Sequence, residues 1–170
     1  MLNDIFNVLL PQTCLGFFII LQLILSMCIS PRQFRFARLI SIIGISLSIV
    51  FLSTVQTEPQ YFAFRNSLMS DSYTLLFDFA VLLCGFFTAL LTKNLVKTMK
   101  RHAYTFHAIL LTAIFAAMNI ISANDFLTLF VSVELMSFST YFLIASSKGY
   151  YSKEASFKYL LTSAISSGIF

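Results

Sequence analysis

Apolar residues in this chain come in long uninterrupted runs, and polar residues gather between them. A helix needs about 20 apolar residues to cross the hydrocarbon core of a bilayer. Runs of that order occur at Pro11 to Ile29, Leu39 to Val55, Leu75 to Thr92, Ala103 to Ile121 and Phe126 to Ser147. They predict helices over 11–29, 39–55, 75–92, 103–121 and 126–147. A sixth, over 155–170, begins at Ala155 and is expected to be cut short at Phe170, before it could cross. Pro11 suits a first helical position, where its missing N–H is harmless. Ser30-Pro31 closes the first run. Gln56 to Thr74, with Pro59 and Arg65, reads as a polar connection whose Tyr61, Phe62 and Phe64 suit the headgroup level. Ser122-Ala123-Asn124-Asp125 reads as a tight turn with N-cap chemistry for the fifth helix.

The pattern predicts an all-α polytopic transmembrane bundle forming one membrane domain, residues 1–170. Composition agrees. Of 170 residues, 58% are hydrophobic and 11% charged, where a soluble domain carries about 25% charged residues. Mean hydropathy is +0.87. The net charge of +4 does not point to nucleic acid, because the basic residues sit between the apolar runs, where they act as topology signals. None precedes the first helix. Arg32, Arg35 and Arg38 follow it, Arg65 follows the second, and Lys93, Lys97, Lys100 and Arg101 follow the third. None follows the fourth, and Lys148 and Lys153 follow the fifth. Low and high counts alternate, which places the N-terminus outside and the first, third and fifth loops inside.

Chemistry in such a chain is sought among its few charges. Glu134 stands alone in the fifth run, with no Lys or Arg beside it. Ten residues separate it from Asn124, roughly 15 Å of helix, which is half of a core about 30 Å thick. An acid at that depth costs several kcal/mol or more and reads by default as an ion- or proton-handling group; the alternative is a protonated acid gluing helices together. Ser137 and Tyr141 lie on the same helical face and can orient it, hold water beside it, or simply pack. Lys158, one turn into the sixth helix, is a relay or a snorkelled anchor. Asp78, near the start of the third helix, is expected at the outer interface, where capping or packing explains it. His107, one turn into the fourth, titrates near neutrality in the free state and is either a relay or a hydrogen-bonded helix histidine. Small residues at Ser163, Ala164, Ser167 and Gly168 read as a close-packing surface. Cys14, Cys28 and Cys84 form no CxxC pair and read as small buried hydrophobes. Dinucleotide, Walker and HExxH patterns are absent, so no metal or nucleotide site is expected. The 20 Phe and no Trp, with many Ile, fit an AT-rich, organellar gene. No cleaved secretory leader is read at Met1 to Leu10, which has no positive residue.

One ordered set of residues carries a family resemblance: Ser122-Ala123-Asn124-Asp125-Phe126-Leu127, then Glu134-Leu135-Met136-Ser137 and Tyr141, then Glu154-Ala155, Lys158-Tyr159 and Ser167-Gly168. It resembles subunit 2 of respiratory complex I, the proton-pumping NADH:ubiquinone oxidoreductase, one of the antiporter-like proteins shared with multisubunit cation/proton antiporters. The likeness is dense from Tyr104 to Phe170 and looser upstream, where Leu10-Pro11 and Asp78-Phe79-Ala80 also fit. It implies that Glu134 is the fifth-helix acid paired with a seventh-helix lysine, that Lys158 is the sixth-helix lysine, and that both join a mid-membrane chain of charges and water. It implies NADH, FMN, iron–sulfur clusters and ubiquinone in other subunits and no cofactor here. The expected partners are membrane-arm subunits, lipids, and a second polypeptide completing the subunit after Phe170, as in a split gene. The expected location is the mitochondrial inner membrane, ahead of a bacterial plasma membrane. Ser163 stands where the family commonly has glycine, and the family is much longer than this chain. The rival readings are a cation/proton antiporter subunit and a structural or assembly bundle without transport.

Overall fold

The structure, a computed structural model, describes residues 2–28, 34–55, 61–93, 102–147 and 149–169. It consists of α1 (Leu2–Cys28), α2 (Phe34–Thr54), the strands β1 (Tyr61–Ala63) and β2 (Leu68–Ser70), α3 (Ser72–Leu91), α4 (Ala103–Ser122), α5 (Phe126–Ala145) and α6 (Tyr150–Ile169). Five of these helices are long and apolar enough to cross a membrane, with spans at Leu9–Cys28, Phe36–Thr54, Ser72–Leu91, Ala103–Ser122 and Phe126–Ala145. The expected helical membrane bundle is therefore present. Ser30-Pro31, Gln56 to Pro59, Arg32, Lys97, Lys100, Arg101, Lys148 and Phe170 lie outside the described residues.

Several boundaries differ from expectation for local reasons. Pro11 lies inside α1, not at its start. Its ring removes one N–H donor from the helix, and its own carbonyl accepts from Ser48 Oγ of α2 at 3.2 Å. The turns before Pro11 stay helical, so α1 is longer than its apolar run. α3 begins at Ser72 because Asp71 and Thr74 form a capping box: the Asp71 side chain accepts from Thr74 N, and Thr74 Oγ1 accepts from Asp71 N, both at 2.8 Å. Such reciprocal capping satisfies two donors that the first turn leaves open. α6 begins at Tyr150, ahead of the expected Ala155, and is as long as its neighbours. Its Lys153, Glu154 and Lys158 make its first half polar.

The connection between α2 and α3 contains an antiparallel hairpin that the sequence did not announce. Tyr61, Phe62 and Ala63 pair with Ser70, Met69 and Leu68. Its turn holds Phe64, Arg65 and Asn66 at positive φ, 49°, 56° and 72°, with no glycine among them. Only Asn tolerates that region readily. Outside contacts hold the turn: Asn124 N donates to Ser67 O at 2.9 Å and Asn124 Nδ2 to Asn66 O at 2.7 Å. Leu68 also bridges Ala123. The α2–α3 and α4–α5 connections thus meet at one end of the bundle, as alternating antiparallel helices require.

α4 is the central helix. It packs on α1, α2, α3 and α5, and half of its span is buried, 50%, against 11% for α5. Leu15, Ile45, Leu82, Leu110, Leu111, Ile114 and Met118 form the core it shares with α1, α2 and α3. Glycines let helices approach here. A Cβ at Gly44 would meet Phe18 Cγ at 2.7 Å, and one at Gly85 would meet Ile114 Cδ1 at 2.4 Å. Gln22 of α1 is buried and donates to Ala37 O at 3.0 Å and Ser41 Oγ at 2.7 Å of α2. α5 and α6 form an outlying pair, joined to the rest through α4.

Candidate functional site

Asp125 starts α5. Its backbone is extended, φ −122° and ψ 158°, and its side chain accepts from Thr128 N at 2.5 Å. Hydrogen bonds from Thr128 and Ser67 hold its carboxyl below the usual carboxylate range. This cap sets where the helix begins, and so the depth of every later residue on it. Glu134 is the ninth residue of a helix of 20, about 12 Å from its start at ~1.5 Å per residue. It therefore sits near mid-span.

Glu134, Ser137 and Tyr141 share one face of α5, as their spacing requires. That face meets Tyr159, Leu160, Ser163, Ala164 and Ser167 of α6 across a cavity of about 220 Å³. A second cavity, about 160 Å³, flanks Glu134 on the side of Phe130, Val133 and Ser166. Both have room for several waters.

The hydroxyls divide by position. Ser132, Ser139 and Thr140 of α5 turn back onto carbonyls of their own helix at 2.7–2.8 Å. That satisfies a hydroxyl where lipid offers no partner. Ser137, Ser163 and the Tyr141 hydroxyl, which line the cavity, make no such bond to the described residues. The Tyr141 ring stacks on Phe142 at 4.2 Å and meets Phe138 edge-on at 6.0 Å, which fixes its direction. Glu134 has no hydrogen bond or ion pair with any described residue. An acid and hydroxyls left uncommitted around a cavity form a place for water and proton exchange.

The small residues of α6 need a corrected reading. Ser163, Ala164 and Ser167 do not close a helix contact here; they leave the space opposite Glu134. Gly168 has no atom near where its Cβ would be. Small side chains permit close approach only where the neighbouring backbone advances into the room they leave.

Lys158 is on another face of α6. Its Nζ donates to Glu154 Oε1 at 2.6 Å, and the lysine side chain is 72% exposed. The structure does not bring Lys158 to Glu134. His107 is fully buried at the opposite end of α4 from Ser122. Nδ1 lies 3.1 Å from Ala103 O and Nε2 3.4 Å from Thr92 Oγ1. The Ala103 carbonyl can only accept, so Nδ1 carries a proton. With the proton on Nδ1, Nε2 can only accept, so the Thr92 hydroxyl has two acceptors in reach, Nε2 and Ala89 O, the latter at 2.7 Å. His107 is thus tied to two helices, away from Glu134.

Asp78 departs most from expectation. It is the seventh residue of α3, which Asp71 caps in its place. Asp78 is 5% exposed, and its Oδ1 is buried without a hydrogen-bond partner. Gln12, which carried no signal in the sequence, and Ser122, read there as part of a turn and of the family resemblance, stand beside it across a small cavity. The cysteines also differ from expectation: Cys28 and Cys84 are exposed on the helix surfaces, and all three are free. No group of three metal-ligating side chains occurs among the described residues.

Residues 123–170 match the family of NADH:quinone oxidoreductase and Mrp antiporter transmembrane proteins. Over 95% of its length the chain is 30% identical to the chloroplastic NAD(P)H-quinone oxidoreductase subunit 2 of Chlorokybus atmophyticus, covering 32% of that protein. It is 32% identical to NADH-quinone oxidoreductase subunit N of Anoxybacillus flavithermus over 96% of the chain and 33% of that protein. The chain thus spans about a third of the length of these curated relatives. In fold it is similar to a chain of respiratory complex I from Thermus thermophilus with bound aureothin, with a TM-score of 0.77 and 22% identity over 93% of this chain and 34% of that one.

Proposed function

We propose that this chain, a partial-length relative of the antiporter-like subunits 2 and N of complex I, takes part in redox-driven proton translocation in such a complex. Glu134 is the proton-handling group. The observation that carries the reading is its placement: an acid near mid-span, uncommitted to any described residue, opening on a cavity walled by Ser137, Tyr141, Ser163 and Ser167. Hydroxyls of that kind order water next to a carboxyl and pass protons along it. An intramembrane acid in a cavity marks a proton path by default.

In this reading a basic side chain from outside residues 1–170 faces Glu134 across the open side of α5 and α6. Its approach favours the carboxylate and releases the proton; its withdrawal favours the acid and takes one up. Lys158 joins the path through water. Its pairing with Glu154 gives it a resting counter-ion, and release from that pair is the step that makes its charge available. Electron transfer and its cofactors belong to other subunits. The chain is seated among other membrane-arm subunits of such a complex. Its Phe-rich, Trp-free composition supports a mitochondrial inner membrane.

The test is Glu134→Gln in the assembled complex, with proton uptake into membrane vesicles measured alongside quinone reduction. Pumping is expected to fall severalfold while assembly stays normal. Undiminished pumping in a normally assembled variant overturns the reading and leaves a structural bundle. Sodium-dependent exchange without redox activity would instead favour a cation/proton antiporter, the other branch of the matched family.

A further inference from the structure

A buried acid lies at the hairpin end of the bundle, apart from the half-buried Glu134. Asp78 of α3 faces a cavity of about 10 Å³, room for about one water centre. Gln12 of α1, Ser122 of α4, and Ser70 and Thr74 at the hairpin–α3 junction complete its polar lining. All four are at least nine-tenths buried. Gln12 Nε2 donates to Ser122 Oγ at 3.1 Å, and Ser122 Oγ donates to Met118 O at 3.0 Å. Thr74 Oγ1 donates to Asp71 O at 2.8 Å. These donors are thus turned to one another and to the backbone, while Asp78 Oδ1 has no partner.

An unpaired carboxylate is far costlier to bury than a neutral carboxylic acid. No Lys, Arg or His lines the cavity. Among the described side chains, the charged or titratable acids and bases on the elements around it include Arg65 in the hairpin turn, Asp71 at the α3 cap, Asp125 at the α5 cap and His107 at the far end of α4, and none of these lines it either. Packing alone would be served better by an apolar residue at position 78. The arrangement suits a group that gains and loses a proton through one water, with the hairpin as its cover.

We propose that Asp78, Gln12 and Ser122 form a proton-binding site holding a single water, which exchanges protons with solvent at the hairpin end of the bundle. In the exchange, an O–H bond forms on the Asp78 carboxyl as one breaks on a hydronium ion, leaving neutral water. Release is the reverse. No oxidant, metal or further reactant is needed. The site stands independently of Glu134, and its test reads Asp78 directly.

That test is infrared difference spectroscopy of the membrane-embedded complex, titrated with pH in H₂O and in D₂O. The C=O stretch of a protonated carboxyl is expected to appear, to titrate and to shift on deuteration. It is expected to vanish in Asp78→Asn and persist in Glu134→Gln. Gln12→Met keeps the carboxyl but removes its polar neighbour. It is expected to move the titration midpoint by tenfold or more in proton concentration, and it serves if Asp78→Asn does not assemble. A band that neither titrates nor deuterates marks a sealed packing acid and overturns the proposal. So does a carboxylate signal that responds to sodium and not to pH, or an unmoved midpoint in Gln12→Met.

Discussion

The two halves of this bundle treat their acids in opposite ways. Around α4, Asp78 is enclosed by four elements, and 50% of the α4 span is buried. On the α5–α6 pair, Glu134 opens on cavities wider than a water, and 11% of the α5 span is buried. Polar groups of the first region are tied to one another, as in Gln22 with Ser41 and Gln12 with Ser122. In the second, Glu134, Ser137, Tyr141 and Ser163 are uncommitted to described residues, and only Ser167 turns back to a carbonyl of its own helix, Ala164 O at 3.1 Å. The lesson is that polarity inside a membrane protein has two uses. Satisfied polar groups fasten helices together; unsatisfied ones around a cavity are left for water, a proton or a partner.

That contrast can be broken by mutation, beginning with the core. Leu111 is fully buried and Leu127 is 71% exposed. Because lipid is as apolar as leucine, the loss at Leu111 comes chiefly from the cavity left behind. Leu111→Ala is expected to lower stability by about 2 kcal/mol or more, and Leu127→Ala by less than about 0.5 kcal/mol. Denaturation of the complex in mild detergent compares them; equal losses would erase the distinction between the halves.

Glycines sharpen it next. Gly44→Val drives a side chain into Phe18, which is expected to cost roughly 1–3 kcal/mol. Gly168→Ala enters open space and is expected to leave the melting temperature unchanged. A smaller effect belongs to Gln22→Leu. It removes the hydrogen bonds to Ala37 and Ser41 but also relieves the partnerless Gln22 Oε1. A loss of about 1 kcal/mol is expected, read as a shift in unfolding midpoint.

The smallest effect is a pH dependence at Asp125. Its carboxyl is held below the ordinary range in the folded chain. The stabilisation is therefore complete above the unfolded value of about 4 and is lost as pH falls through the folded value. Proteolysis at the α4–α5 turn should quicken below about pH 4 in the wild type. In Asp125→Asn that dependence should flatten; a dependence unchanged by the substitution would remove Asp125 from the account.

Legibility in the sequence depended on the kind of physics involved. Span count, alternation of loops and the depth of Glu134 are one-dimensional properties: run length, charge order and a fixed rise per residue. The shared face of Glu134, Ser137 and Tyr141 is equally local, since spacing on a helix sets it. Pro11 misled because a proline within a helix that neighbours hold together need not end it. The hairpin escaped because its turn is held by Asn124, far along the chain, and by no glycine of its own. Asp78 was misjudged because Asp71 and Thr74 start the helix earlier, moving it a full turn deeper.

The chain by itself determined that it must live in a bilayer, how many times it can cross, and at what height its lone mid-span acid sits, because hydrophobicity and helical rise act residue by residue. Only the tertiary structure decided which groups share a space. It opened a cavity before Glu134, turned Lys158 to Glu154, and enclosed Asp78 with Gln12 and Ser122. Those outcomes depend on how helices rotate and lean against one another, which rests on side-chain fit between segments far apart in sequence and leaves no periodic mark along it.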